Sequence, residues 1–439
     1  MKTITVGLLG CGTVGTGVAR LLAENRDLLE ARVGAAINLK YVADIDTQKD
    51  RGVAFAPGVL INDAWKVVND PEVDIVIEMI GGQGIAKELI LAAIARGKQV
   101  ITANKALLAA QGKVLFDAAR AKGVDLAYEA SVGGCMPVIK TIRESLVGNK
   151  IRTMTGILNG TCNYILSKIS ADRTPFEAVL AEAQAKGYAE ADPTLDIEGL
   201  DTAHKLAIIS ALAYGTEVNL KDIFIEGITR ISPMDIEFAE TFGYCIKLLA
   251  ISKNLGDAIE ARVHPTMISA GNLLSNVNGT LNAMAITGDA VGTLVLNGHG
   301  AGMMPTASAV VGDLVDQARN LVCNCGPRVP ALSYQPERIG HIPVMPISAI
   351  TTRYYFRFAA MDRPGVLSKI SGILGNHGIS LKSVHQKGRS RAEGAVPIVM
   401  LTHLAKEQNV RLAVNEIMDL DVVSDRPVLI RIEDENDKD

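Results

Sequence analysis

Two stretches of the chain carry residues able to move a proton. In GYAEADPTLDIEGLDTAHK (187–205), Asp201 and Lys205 stand four residues apart on a predicted helix and so share a face. Glu190 precedes them in a proline-containing turn, and Lys105 closes the run Ile-Thr-Ala-Asn-Lys just past a predicted strand at 98–102. An ammonium beside a carbonyl oxygen can stabilise and protonate the charge that hydride addition builds there, and an acidic pair can neutralise a substrate ammonium. From spacing alone the plainer reading is an i,i+4 surface ion pair, with Glu190 a loop acid and Lys105 one more surface lysine. A lysine of ordinary pKa, about 10.4, is a poor base at neutral pH. Burial, or a second ammonium brought close, would lower that value for Lys205 while Asp201 would raise it, so the effects oppose one another.

Hydride chemistry needs a donor, and the N-terminus offers a place for one. Gly10-Cys11-Gly12-Thr13-Val14-Gly15 is a G-x-G-x-x-G that follows the apolar, β-branched run 3–9 and opens a helical pattern. The first glycine permits the tight turn, the second lets a pyrophosphate approach the backbone, and the third allows close helix–strand packing. The helix N-terminus favours the anion. Asp44 ends the second predicted strand, where an acid commonly binds ribose hydroxyls. Lys49 and Arg51 just beyond it suit a 2′-phosphate, so NAD and NADP both stay open. Ligands of such sheets bind outside the carboxyl ends of the strands, which places Lys105 well for facing a nicotinamide.

The elements that must position these groups alternate. Strand-like runs at 3–9, 39–43, 73–79, 98–102 and 124–129 are separated by helical patterns at 13–29, 85–96 and 111–122, which implies right-handed βαβ units and a mostly parallel sheet. The middle, 131–320, reads as mixed α+β, with helices expected at 136–146, 175–186 and 200–214 and strands at 223–231 and 259–269. Between 326 and 346 lie Pro327, Pro330, Pro336, Pro343 and Pro346, a density that resists regular structure and reads as a linker. A β-α-β-β-α-β plan follows over 350–432, and the residues from 433 to 439 read as a disordered acidic tail.

Lys+Arg total 44 and Asp+Glu 48, a formal net charge of −4, which gives no basic excess for a nucleic-acid backbone or an anionic membrane. No window approaches 18 strictly apolar residues, so no membrane span is expected. Five glycines break the run from Gly7 to Gly17, so it reads as mature sequence rather than a signal peptide. The six cysteines show no framework or metal spacing, as expected for free thiols in a cytoplasmic chain.

Taken together, GLLGCGTVGTG, TANKALLA, YEASVGGCMPVI, GILNGTCNYIL, GYAEADPTLDIEGLDTAHKL, HGAGMMPTASAVVGD and DRPGVLSKI closely resemble homoserine dehydrogenases with a C-terminal ACT domain. The resemblance covers nearly the whole chain. It implies an α/β and α+β protein with three parts. The first is a Rossmann-type NAD(P)-binding domain over 1–130, with a returning segment near 300–322. A catalytic and dimerisation domain over 131–325 follows, and a linker at 326–349 leads to a ferredoxin-like ACT domain over 350–432. The implied reaction interconverts L-homoserine and L-aspartate 4-semialdehyde on the branch toward threonine, methionine and isoleucine.

By the same resemblance Lys205 is the acid/base, Lys105 assists at the same oxygen, and Glu190 and Asp201 hold the amino end of the substrate. Gly10, Gly12, Thr13, Val14, Gly15, Asp44, Lys105, Gly187 and Gly302 face the cofactor. His299 stands where the family more often has proline in its G-P-G-A-G turn. The oxygens of Glu129, Val132, Gly134 and Met136 are placed to hold a sodium ion, largely through carbonyls, which suit hard cations. A glycine turn with no ion is the plainer alternative. Asn159, Thr161, Asn163 and Tyr164 line the substrate cleft. In the ACT domain, Asp362, Gly365, Val366, Asn376 and Ile379 form a site for L-threonine as feedback inhibitor, the alternative being a module that only dimerises. A homodimer or homotetramer is expected. Two other functions compete: an aldehyde-oxidising dehydrogenase using Cys135 as nucleophile, and a non-enzymatic sensor of NAD(H) and amino acids.

Overall fold

The computed structural model describes residues 2–386 and 395–433. The chain divides into two compact, discontinuous units. The first comprises Met1–Gly160, Asp201–Lys221 and Leu281–Ile342, and the second Thr161–Leu200, Asp222–Thr280 and Pro343–Asp439.

The first unit is built on six strands: β1 (Thr3–Leu9), β2 (Ala36–Ala43), β3 (Leu60–Ile61), β4 (Ile75–Glu78), β5 (Gln99–Thr102) and β6 (Leu126–Ala127). Their order is β3-β2-β1-β4-β5-β6 and every pair is parallel. Helices cover both faces, so the central strands are mostly apolar and buried, save the exposed start of β1 at Thr3 and the buried acid Glu78 that ends β4. The order reverses between β1 and β4, which opens a crevice at the carboxyl ends of those strands. Helix Met303–Val322 returns to this sheet from far along the chain. Its Ala307, Val310, Leu314 and Ala318 share one core with Val6, Leu8 and Val18. Three strands paired antiparallel in the order Gly292–His299, Leu281–Gly288, Ile151–Ile157 complete the unit.

The proline-rich stretch makes only short turns, yet it is pinned. Tyr128 Oη donates to Ala331 O at 2.5 Å, Tyr334 Oη to Ala213 O at 3.1 Å, and Gly340 bridges to Thr216.

In the second unit, Tyr244–Asn254 pairs antiparallel with Ile259–Ser269, and the last strand, Val428–Glu433, joins the latter in parallel. Beyond it lie Thr351–Met361, Ala395–Thr402 and Leu381–Gln386, all antiparallel. Helices Val366–Asn376 and Glu407–Met418 complete the β-α-β-β-α-β plan over a core of Tyr354, Phe356, Phe358, Ile370, Leu374, Val410 and Ile417.

Several expected elements differ. Glu433 ends the last strand rather than opening a tail, because Arg262 and Lys253 bind its carboxylate, the lysine at 2.8 Å. Residues 434–439 lie outside the described residues. Only Phe224–Ile225 of the 223–231 run is strand. Beyond it Gly227 approaches Ile197 O so closely that a Cβ would sit 2.3 Å away, and Ser232 with Asp235 forms a capping box for helix Pro233–Thr241. The 136–146 segment is a single α-turn, Val138–Lys140, opening into a π-helical turn, Thr141–Ser145. The helix expected at 111–122 begins earlier, at Lys105, with a kink at Gln111. Among the described residues no helix is long and apolar enough to cross a membrane.

Candidate active site

Within the first unit the two lysines meet on one carboxylate. Asp201 opens helix Leu200–Tyr214 and Lys205 follows one turn later. Lys205 Nζ donates to Asp201 Oδ2 at 2.7 Å and to Leu158 O at 2.6 Å. Lys105 Nζ lies 3.0 Å from Asp201 Oδ1, and Asn159 Nδ2 donates to Asp201 Oδ2 at 2.9 Å. The Asp201–Lys205 pair is therefore buried, not the surface pair that spacing favours, with side chains 10% and 9% exposed. Lys105 is 40% exposed and forms the open side of the cluster. Burial alone would raise the Asp201 carboxyl, but the Lys205 and Lys105 ammoniums outweigh it and hold the group well below the usual carboxylate range. Two ammoniums on one carboxylate leave one unit of positive charge, which suits an oxygen that becomes an alkoxide. His204, half-buried beside this cluster, is pushed down mainly by burial, with Asp201 pulling it back up.

Lys105 owes its place to a buried network at the ends of β4 and β5. Glu78, fully buried, accepts from the amides of Ile80 and Gly81 at 2.8 Å each and from Thr102 Oγ1 at 2.6 Å. Thr102 Oγ1 in turn accepts from the Asn104 amide at 3.0 Å. Asn104 donates to Gly82 O at 2.6 Å and caps the helix that Lys105 opens by accepting from Leu107 N. Sequence reasoning missed Glu78, the Leu158 carbonyl and His204. Glu78 had a readable signal, since it is a strand-ending acid ahead of Gly81-Gly82.

The glycine loop is shaped for a dinucleotide. A Cβ on Gly15 would lie 2.0 Å from Gly10 O, so only glycine lets the helix Thr13–Glu24 pack this close to β1. A Cβ on Gly12 would meet nothing within 4 Å, and Gly12 and Thr13 are exposed. The Gly12 side is thus open to an approaching pyrophosphate, while Val14 is half-buried in the first turn. Asp44 is turned onto this loop: its Oδ2 accepts from Cys11 N at 2.7 Å, and Oδ1 lies 3.0 Å from Arg51 Nη2. Arg51 also donates to Cys11 O at 2.7 Å and Lys49 O at 2.8 Å, so it clasps the 44–51 loop to the glycine turn.

Glu129, Val132, Gly134 and Met136 occupy one buried loop. Glu129 Oε1 and Oε2 accept from the amides of Ile139 and Lys140 at 2.8 Å each, and its own amide donates to Asp313 at 2.9 Å. Its carboxyl is pushed up to about 7, chiefly by burial and then by Asp313, which burial itself raises to about 6. Among the carbonyls, Glu129 O accepts from Val132 N and Met136 O from Val138 N. The loop packs on the Gly298–Gly302 turn, where Cys135 N donates to His299 O at 3.1 Å. A Cβ on Gly134 would strike His299 O and Gly300 at 2.5 Å. Gly302 has a φ of 117° and caps helix Met303–Val322. Beside Gly300 the buried amide of Asn282 has both its oxygen and nitrogen without a hydrogen-bond partner. Among the described residues no group of three His, Cys, Asp or Glu side chains could hold a metal ion.

The remaining expected residues belong to the second unit. Glu190 and Gly187 are exposed on the turn after helix Phe176–Ala185, where Gln184 Nε2 donates to Glu190 O at 3.1 Å. Thr161 Oγ1 donates to Tyr188 O at 2.6 Å, Asn163 Nδ2 to Val277 O at 3.1 Å, and the Tyr164 and Tyr188 rings meet edge-on at 4.9 Å. In the C-terminal module, Asp362 and Asn376 are exposed and Gly365, with φ of 90°, caps the helix that Val366 opens. The Val366 and Ile379 side chains are committed to the module core, so only their backbone faces a ligand.

Three comparisons bear on what such a chain does. Residues 10–129 match the family model of the homoserine dehydrogenase NAD binding domain, residues 137–315 that of homoserine dehydrogenase, and residues 354–422 that of the ACT domain. A homoserine dehydrogenase of Pseudomonas aeruginosa is 43% identical over 99% of this chain and 100% of its own length. A crystal structure of a homoserine dehydrogenase from Thiobacillus denitrificans superposes with a TM-score of 0.93 at 46% identity, covering 99% of both chains. A hyperthermophilic archaeal homoserine dehydrogenase in complex with NADPH shares the fold, with a TM-score of 0.61 at 24% identity over 72% of this chain and 97% of that one.

Proposed function

The chain belongs to the homoserine dehydrogenase family, NAD(P)-dependent oxidoreductases acting on a CH–OH group, and from that premise we propose that its reaction is run by the Lys105–Asp201–Lys205 cluster. The single observation that carries this reading is the convergence of both ammoniums on Asp201 at 3.0 and 2.7 Å. When bound, the nicotinamide cofactor supplies or accepts the hydride. Lys205 gives a proton to the substrate oxygen in reduction and takes it back in oxidation, while Lys105 on the open side stabilises the same oxygen. Asp201, fixed by Asn159, keeps the ammoniums in place and offers a carboxylate to the substrate amino group.

Gly10, Gly12, Thr13, Val14 and Gly15 would hold the pyrophosphate, Asp44 the adenosine ribose, and Gly187 and Gly302 further parts of the dinucleotide. The open face at Gly12 supports this. Mixing the chain with L-homoserine and either NAD or NADP is expected to give NAD(P)H. Absence of reduction with both would refute the reading.

We further propose a monovalent cation, sodium, on the oxygens of Glu129, Val132, Gly134 and Met136. The neighbouring orphaned Asn282 amide and the buried carboxyls of Glu129 and Asp313, both raised by burial, support a cation there.

In the ACT domain, L-threonine is proposed to bind the exposed turn Asp362–Val366 with Asn376 and Ile379, as feedback control of a branch toward threonine, methionine and isoleucine. The helix N-terminus opened by Gly365 suits a carboxylate, and Asp362 an ammonium. Deleting the module is a poor test, because its last strand pairs with Ile259–Ser269. Asp362→Ala is the better variant. It is expected to lose threonine inhibition by about tenfold or more in concentration while keeping uninhibited turnover. Inhibition curves that coincide with those of the unmodified chain would exclude the turn as the sensor. A cytoplasmic homodimer or homotetramer completes the proposal, consistent with the apolar strands of the middle domain and an ACT module.

A further inference from the structure

The second unit holds a cavity of about 360 Å³ between the C-terminal module and the segment Phe224–Ile231. Its module wall is helix Glu407–Met418 and strand Val428–Glu433, and four arginines line it: Arg230, Arg411, Arg426 and Arg431. Arg431 lies 1% exposed at the base. It donates to Glu407 through Nε at 2.9 Å and Nη2 at 2.6 Å, and to Glu226 through Nη1 at 2.9 Å. Arg411 Nε donates to Glu407 Oε1, the oxygen that Arg431 Nη2 also reaches, at 2.9 Å. The Phe224 ring is flanked by both guanidiniums, Arg431 at 4.7 Å and Arg411 at 5.4 Å.

Glu407 and Glu226 therefore balance Arg431 and Arg411. Arg230 and Arg426 are left over. They adjoin at the rim, where Arg230 Nη2 donates to Arg426 O at 3.4 Å, and neither has a carboxylate partner among the described residues. Two uncompensated guanidiniums over a concave, arginine-floored space are matched by an oxyanion, which each planar fork can grip bidentately. The volume is near the lower end of small-molecule sites, about 300–1,000 Å³, and too small for a macromolecular epitope.

We propose that this cavity binds a small polyanion carrying phosphate or carboxylate groups, at a site separate from the Asp362–Ile379 turn. The occupant would tie the C-terminal module to the segment leading into helix Pro233–Thr241. The Asp235 of that helix already holds the module through Tyr355 Oη at 3.0 Å and Arg357 Nε at 2.6 Å. A ligand there would stiffen the seam between the module and that segment.

The test uses the full chain saturated with NADP, so that the dinucleotide site is filled. Inorganic pyrophosphate and citrate are titrated separately by calorimetry and by thermal unfolding, each against sodium chloride of equal ionic strength. The expected result is saturable binding and a raised Tm with at least one probe, and which probe acts assigns the chemistry to phosphate or carboxylate. The double variant Arg230→Gln/Arg426→Gln, altered only at exposed positions, is expected to bind that probe about tenfold or more weakly. Its Tm and turnover without probe should be unchanged. No saturable response beyond that of sodium chloride, or equal affinity in the double variant, would overturn the proposal.

Discussion

Replacing Lys205 by alanine is expected to lower kcat for homoserine oxidation by about 10²–10⁴-fold, the usual contribution of a positioned acid/base group, with NAD(P) affinity nearly unchanged. The separation follows from geometry. Lys205 is spent on Asp201 and Leu158 O, on helix Leu200–Tyr214, whereas the dinucleotide loop is formed by β1 and helix Thr13–Glu24. Alanine also removes a buried stem, so Lys205→Met, which keeps that packing, is the control. It should recover the packing share of folding stability lost in alanine, though not the share owed to the ion pair with Asp201, and should not recover turnover. Single-turnover hydride transfer and fluorescence titration of NADPH read the two quantities independently. Near-normal turnover in Lys205→Met would take the proton-transfer role away from this residue.

The second large effect is expected from Asp201→Asn. The carboxylate is the charge on which both ammoniums converge, and removing it leaves them facing an amide. Breaking a buried ion pair by removing one partner costs about 3–5 kcal/mol, and the lower end applies here because Lys105 is 40% exposed and screened by solvent. Turnover should fall by about 10²-fold or more as Lys205 loses its hold. The pH dependence has a definite sign. The Asp201 carboxyl is depressed in the folded chain, so its contribution is fully present above the unfolded value of about 3.9 and is lost as pH falls through the folded one. Unfolding of the unmodified chain and of Asp201→Asn by urea should therefore differ by a constant amount from pH 5 to pH 8. The gap should narrow only in stronger acid. A gap that closes between pH 5 and pH 8 would mean that Asp201 is not the paired carboxylate described.

What could be read from the sequence was what is local in the chain. The turn Gly10–Gly15, the i,i+4 pair Asp201–Lys205 and the β-α-β-β-α-β plan each lie within one short window, and periodicity or spacing exposes them. The parallel sheet was legible because buried βαβ strands are continuous apolar runs. The middle of the chain was legible only in part: helices Phe176–Ala185 and Leu200–Tyr214 and strand Ile259–Ser269 fall where they were expected, but other strands do not show in the sequence. Its long strands Tyr244–Asn254 and Leu281–Gly288 are buried along most of their length, so the alternation that marks a strand is lost. Spacing also misjudged the environment of the lysine pair, since helix Leu200–Tyr214 is buried nearly all round and has little amphipathic contrast. Lys105 reaches Asp201 across about a hundred residues of chain, a meeting that spacing could not show and only the family resemblance implied. Glu78 escaped for the same reason, as its partners Ile80, Gly81 and Thr102 are gathered by the parallel pairing of β4 with β5.

The measurement that bears most directly on the proton-transfer cluster is a crystal structure of the chain with NAD(P) and L-homoserine bound. The substrate hydroxyl oxygen is expected within hydrogen-bond reach of Lys205 Nζ, about 2.6–3.2 Å, with Lys105 Nζ beside the same oxygen. A substrate seated with its hydroxyl beyond the reach of both lysines would contradict that expectation.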